Sequence, residues 1–124
     1  MTQDPAFLAQ ASLLAGAIGD SLGAEIEFWP LDRIAHQFPN GLRDLPQHQG
    51  IVGAITDDTQ MTLFTAEGLI SAWVRGRLKG IVSVDGVVHH ALLRWLRTQG
   101  VEANVPEADH VGLVEDARLH HRRA

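Results

Sequence analysis

The 124-residue chain contains no cysteine, which excludes a disulfide framework, a thiolate zinc site and a cysteine nucleophile. Chemistry has to come from oxygen or histidine. No basic leader stands at Met1-Thr-Gln-Asp-Pro5, and no apolar run is expected to reach the roughly 18 residues that a membrane span needs. A soluble, cytoplasmic protein with no membrane partner is the expectation. Basic residues are also in the minority, 10 against 15 acidic ones, giving a net charge of −5. Non-specific nucleic-acid binding relies on lysine and arginine neutralising phosphates, so no nucleic-acid partner is expected.

Several catalytic patterns are missing as well. The seven histidines include no His-Glu-x-x-His arrangement. The doublets His89-His90 and His120-His121 point neighbouring side chains in different directions on a helix, which favours structural or solvated histidines. Ser12, Ser21, Ser71 and Ser83 do not sit in a Gly-x-Ser-x-Gly elbow. The glycine-rich run at residues 16–24 has neither a preceding strand nor the lysine of a phosphate-binding loop.

Hydrophobic residues make up 45% of the chain, enough for one modest core. Asp4 and Pro5 open a first helix expected over residues 5–23, with Leu8, Ala11, Ala15, Ile18 and Leu22 at helical spacing. Gly16, Gly19 and Gly23 form a second stripe that suits close packing, by another helix or a ligand. From Phe28 to Gly50 prolines and Pro39-Asn40-Gly41 predict a long loop with one helical turn at Leu31–Gln37, and Trp29 there is a candidate for lining an opening.

A second helix is expected from Asp57 or Asp58 to Gly76. Its apolar residues, among them Phe64, Leu69, Ile70, Trp73 and Val74, leave no broad polar face and place it at the centre of the core. A third fits Asp85–Gln99, with Val88, Leu92 and Trp95 on its apolar face. After a loop containing Pro106, residues 112–124 start another helix. With Ile51–Ile55 the one short strand candidate and no repeat or low-complexity tract, the architecture reads as all-α.

Two segments carry the chemistry. Gly53-Ala-Ile-Thr56-Asp57-Asp58-Thr59-Gln60-Met61 places adjacent carboxylates and two hydroxyls directly before an apolar helix. Clustered carboxylate and hydroxyl oxygens without sulfur suit Mg²⁺ or Mn²⁺. The same residues also fit a helix cap, with Asp57 accepting from the first turn and Gln60 reaching back to complete a capping box. Upstream stands Gly16-Ala-Ile-Gly-Asp20-Ser-Leu-Gly23-Ala-Glu25-Ile-Glu27, where Asp20 fits a backbone hydrogen bond at the end of the first helix and Glu25 a solvated position.

In order and spacing the two segments resemble the N-terminal signature of the ADP-ribosylglycohydrolase family. The resemblance covers most of residues 5–124 and fades between 101 and 112. It implies a compact, mostly orthogonal bundle of helices, with residues 1–124 as the N-terminal portion of one larger helical domain. It implies two divalent ions, Mg²⁺ or Mn²⁺, in a cleft for ADP-ribose, with Thr56, Asp57 and Asp58 as metal ligands. Glu27 then positions water or substrate near the metals. The implied reaction hydrolyses the bond between ADP-ribose and a modified arginine or serine, so the partner is an ADP-ribosylated protein or an ADP-ribose-containing small molecule.

The family completes its metal site with a second acidic segment farther downstream, which this sequence does not contain. The chain alone is therefore expected not to turn over ADP-ribosyl-arginine and to leave apolar faces exposed around Leu69, Trp73 and Trp95. Two readings stay open on sequence: a metal-dependent ADP-ribosyl hydrolase of which this is a fragment, and a non-catalytic remnant that binds a ligand or partner weakly. Oligomeric state is open in both.

Overall fold

The computed structural model describes residues 4–105 and 112–120. Among them lie four α-helices, two short 3₁₀ turns and one small hairpin, an all-α fold. They belong to two compact units, Met1–Thr59 and Gln60–Ala124.

In the first unit, α1 (Pro5–Gly23) starts where the Asp4 carboxylate accepts a hydrogen bond from the Ala6 N–H at 3.0 Å, with proline in the first turn. Its 19 residues are long and apolar enough, by length and composition, to cross a membrane. That corrects the expectation that no run reaches such a length. Alanine, glycine and serine between the larger apolar residues leave Asp20 as the helix's one charge. A single helix of this kind near the N-terminus is a weak membrane signal, and Asp20 is engaged elsewhere, as described below. Among the described residues the glycine stripe does not serve close packing, because a Cβ built at Gly16, Gly19 or Gly23 meets none of them within 4 Å.

The expected helical turn is α2 (Leu31–Gln37). Trp29 is occupied in fastening it: the Arg33 guanidinium lies 3.6 Å from the centroid of its ring, and the Phe38 ring stacks 6.3 Å away. The strand candidate at Ile51–Ile55 contributes only its first two residues. β1 (Gln47–His48) pairs antiparallel with β2 (Ile51–Val52). Gln49 at φ 49° and Gly50 at φ 82° supply the two left-handed positions that a two-residue hairpin turn demands.

The long helix α3 (Asp57–Lys79) runs past Gly76, the expected stop. Arg77, Leu78 and Lys79 are good helix formers, and the left-handed residue that ends the helix is Gly80 at φ 73°. In the second unit, α4 (Val84–Thr98) begins one residue earlier than expected because Ser83 is its cap, its Oγ accepting from the Gly86 N–H at 3.2 Å. The face that α4 buries is Val87, Ala91, Arg94 and Thr98 rather than Val88, Leu92 and Trp95. Small residues allow close approach. A Cβ on Gly68 of α3 would lie 3.0 Å from both the Val88 Cα and the Ala91 Cβ. Arg94 tolerates burial because Glu67 Oε2 accepts from its Nη2 at 2.8 Å.

The apolar core of this unit, among the described residues, is Phe64, Ala72, Val87, Ala91 and Val105. Trp73 and Ile70, expected inside, are 64% and 65% exposed, and Leu69 and Val74 are exposed too. The central-core reading of α3 therefore holds for one stripe of the helix only. The expected exposure is found at Leu69 and Trp73 but not at Trp95, whose indole is half-buried and donates to Gln60.

Residues 112–120 form 3₁₀ turns at Gly112–Glu115 and Ala117–Leu119 in place of the expected helix. Asp116 interrupts it by accepting from the Arg118 N–H at 3.0 Å, and Glu67 Oε1 captures the Leu113 N–H at 2.7 Å. The Arg118 guanidinium beside Asp116 holds that carboxyl down at about 2. Pro106 and Arg122–Arg123 lie outside the described residues.

The glycine environments give a paired prediction. Gly16→Ala should stabilise the protein by about 0.5–1 kcal/mol, the helix-propensity gain at an open position. Gly68→Ala makes the same gain but must push backbone aside, and overpacking costs about 1–3 kcal/mol, so a net loss of about 1 kcal/mol is expected. Urea midpoints moving in opposite directions at unchanged slope would bear this out.

Candidate metal centre

The first N–H groups of a helix have no partner inside it, and a nearby side-chain oxygen normally accepts from them. At the start of α3 that oxygen comes from α1. Asp20 Oδ2 accepts from the Thr56 N–H at 2.8 Å and the Thr59 N–H at 3.2 Å. The hydroxyls of the same two threonines also donate to it, Thr56 Oγ1 to Oδ1 at 2.6 Å and Thr59 Oγ1 to Oδ2 at 2.5 Å. Four donors converge on one carboxylate, 36 and 39 residues away in sequence. Burial raises the pKa of the Asp20 carboxyl, but the hydrogen bonds from Thr56 and Thr59 together outweigh it and hold the group below its ordinary range.

This arrangement replaces two sequence expectations. Asp20 does bond to backbone, but to the start of another helix rather than the end of its own. The capping box does not form either. Gln60 is 1% exposed, and its Oε1 accepts from Trp95 Nε1 at 3.0 Å and Gln99 Nε2 at 2.9 Å.

With the cap supplied by Asp20, the Asp57 and Asp58 carboxylates have no hydrogen-bond or ion-pair partner among the described residues. Asp57 is half-buried, Asp58 exposed and Thr56 buried at 8%. Glu27 lies in the turns after α1, exposed and likewise without a side-chain partner there. Glu25 meets His48, Oε2 to Nδ1 at 3.4 Å, so it is not simply solvated. Ser21 Oγ donates to the Gly53 carbonyl at 3.2 Å, fixing the loop that leads into Thr56.

The structure thus brings Thr56, Asp57 and Asp58 together by sequence adjacency. It shows no bond from Glu27 to them, and among the described residues no group of three or more acidic or histidine side chains is disposed to hold a metal ion. The donor set is one hydroxyl and two carboxylates. Its chemistry fits a hard divalent cation, since Mg²⁺ is commonly held by one or two carboxylates and keeps several waters. Sequence reasoning missed the joint role of Asp20 and Thr59. The available signal was Thr56 and Thr59 three residues apart, on one face of the helix start.

Fold and site together define an all-α protein with a hard-oxygen donor set at a helix start. Residues 1–123 match the family model for ADP-ribosylglycohydrolase, and the chain belongs to that family. Its function is of the glycohydrolase type; the family acts on ADP-ribosylated substrates and is generally metal-dependent. Neither a search of curated proteins nor one of solved structures finds a match.

Proposed function

We propose that this chain is the N-terminal portion of a helical domain that hydrolyses the bond between ADP-ribose and a modified protein side chain. Thr56, Asp57 and Asp58 hold Mg²⁺ or Mn²⁺, two ions in the complete site, and Glu27 positions water or substrate. The observation that carries this reading is the release of Asp57 and Asp58 from capping duty, because Asp20 performs it.

A divalent cation, when bound, supplies Lewis acidity and fixes the orientation of the ribose hydroxyls. Cleavage builds oxocarbenium-like positive charge at the ribose carbon, and carboxylates held near that carbon stabilise it. Asp57 and Asp58 contribute negative charge at a helix N-terminus, where it is favourable by about 0.3–1 kcal/mol each and so tolerated without a protein partner. Exposed Glu27 is free to meet solvent and substrate.

A second reading rests on the absence, among the described residues, of a group of three or more metal-binding side chains. In that reading the chain is a non-catalytic module that binds a cation or ADP-ribose weakly. The experiment is ADP-ribose release from ADP-ribosyl-arginine and ADP-ribosyl-serine peptides by the protein purified from its source cell. Release that needs Mg²⁺ or Mn²⁺ and disappears in Glu27→Gln is the expected result. Cation binding without release establishes the binding module, and the absence of both overturns both readings.

A further inference from the structure

We infer that Asp20 is a positioning residue for the cation site: it fixes the Thr56 hydroxyl as a donor toward α1, leaving the lone pairs of that oxygen for a divalent cation. The inference rests on the metal reading of Thr56, Asp57 and Asp58 and adds to it a residue outside that set.

The argument is one of hydrogen-bond direction. A threonine hydroxyl has one proton and two lone pairs, and in solution it rotates freely between donating and accepting. An ionised carboxylate only accepts. With Thr56 Oγ1 2.6 Å from Asp20 Oδ1, the proton must lie between them, and the rotor is fixed. The Thr56 N–H, bound to the other oxygen of the same carboxylate at 2.8 Å, fixes the backbone that carries it. Asp20 is itself set by Thr59, through both N–H and Oγ1. The Thr56 oxygen is therefore oriented before any cation arrives, and such preorganisation reduces the ordering cost of binding. A charged hydrogen-bond acceptor also polarises the hydroxyl and makes its oxygen a better ligand, as carboxylates do for metal-bound histidine.

Asparagine at position 20 keeps the shape but brings an amide donor. An N–H₂ facing Thr56 turns the hydroxyl round and uses a lone pair. Mn²⁺ affinity of the full chain, read as loss of the free-Mn²⁺ electron paramagnetic resonance signal, distinguishes this role from simple capping. Asp20→Asn and Thr56→Val should each weaken binding about tenfold or more, the range seen when support of a metal ligand is lost. The double variant should lose no more than either single one, whereas Thr56→Ser should keep wild-type affinity.

Thr59→Val removes one bond to Asp20 and lowers stability, yet leaves the Thr56 contact, so its affinity should stay within about twofold of wild type. Thermal melts fix a temperature at which every variant is folded. If Asp20→Asn does not fold, the Thr56 pair decides: Thr56→Val binding Mn²⁺ like wild type overturns the inference. So does additive weakening in the double variant, or Thr59→Val weakening binding as much as Asp20→Asn. Wild type that takes up no Mn²⁺ refutes the metal reading itself, whereas uptake abolished by Asp57→Asn/Asp58→Asn but untouched by Asp20→Asn refutes only the positioning role.

Discussion

Asp20→Ala is expected to lower unfolding free energy by about 3 kcal/mol. Losing an N-cap alone costs about 0.5–2 kcal/mol, and a hydrogen bond to a charged group contributes about 1.5–3 kcal/mol. Four donors meet at this carboxylate, but they share one acceptor and cannot add independently. Water can reach part of the vacated space, which limits the loss, while Thr56 and Thr59, both 8% exposed, limit that access. At this chain length about 3 kcal/mol corresponds to a melting-temperature drop on the order of 10 °C.

The pH dependence has a definite sign. The carboxyl of Asp20 titrates below its ordinary value of 3.8 in the folded protein, so its contribution is fully present above that value and is lost as pH falls through the folded pKa. The stability gap between wild type and Asp20→Ala should be constant from pH 7 to about 5 and narrow below about pH 4. Asp116 is also held low, but it is present in both proteins and cancels in the difference. Urea midpoints at pH 7 and pH 3 measure this directly. A gap of equal size at both values would show that the carboxylate charge is not what holds the start of α3.

Signals that act locally are legible in the sequence at the positions where they act. Asp4 and Pro5 begin α1, the turn at Leu31–Gln37 is α2, and Gly100 at φ 77° follows α4. What escaped were features decided by distant residues. Proximity in sequence fits Asp57 as the cap of α3, whereas the carboxylate that reaches the helix start is on α1. No periodicity reports such a pairing. The spacing of Val88, Leu92 and Trp95 points to one apolar face of α4, yet Gly68 lies close against Ala91 on a neighbouring face, and a charge at Arg94 becomes tolerable there because Glu67 faces it. Trp73 is apolar enough for a core but stays mostly exposed, with the guanidinium of Arg77 5.0 Å from its ring centroid. Residues 112–120 carry a helix-like charge pattern, but Asp116 turns to its own Arg118 and ends the run. Thr56, Asp57 and Asp58 stand out in the sequence because they are contiguous; that Asp57 and Asp58 are spared the cap of α3 does not, because it depends on Asp20.

Replacing both Asp57 and Asp58 by asparagine is expected to abolish stabilisation by Mn²⁺ while leaving the metal-free fold nearly intact. Each carboxylate interacts favourably with the helix N-terminus by about 0.3–1 kcal/mol, but the two repel one another, so the net change without metal should stay within about 1 kcal/mol. Neither holds another side chain in place among the described residues. The wild-type protein should behave differently once the cation is added. A site of three protein oxygens with a Kd on the order of 1 mM, challenged with about 10 mM Mn²⁺, gains about 1.4 kcal/mol by mass action, a shift in melting temperature of several degrees. The asparagine pair should show no shift, and Ca²⁺ should act more weakly than Mn²⁺ because it prefers a larger, more flexible shell of six to eight oxygens. An Mn²⁺-induced shift that survives in the double variant would move the cation elsewhere in the chain. The metal roles of Thr56, Asp57 and Asp58 would fall with it, though the Asp20 cap would stand on its own measurement.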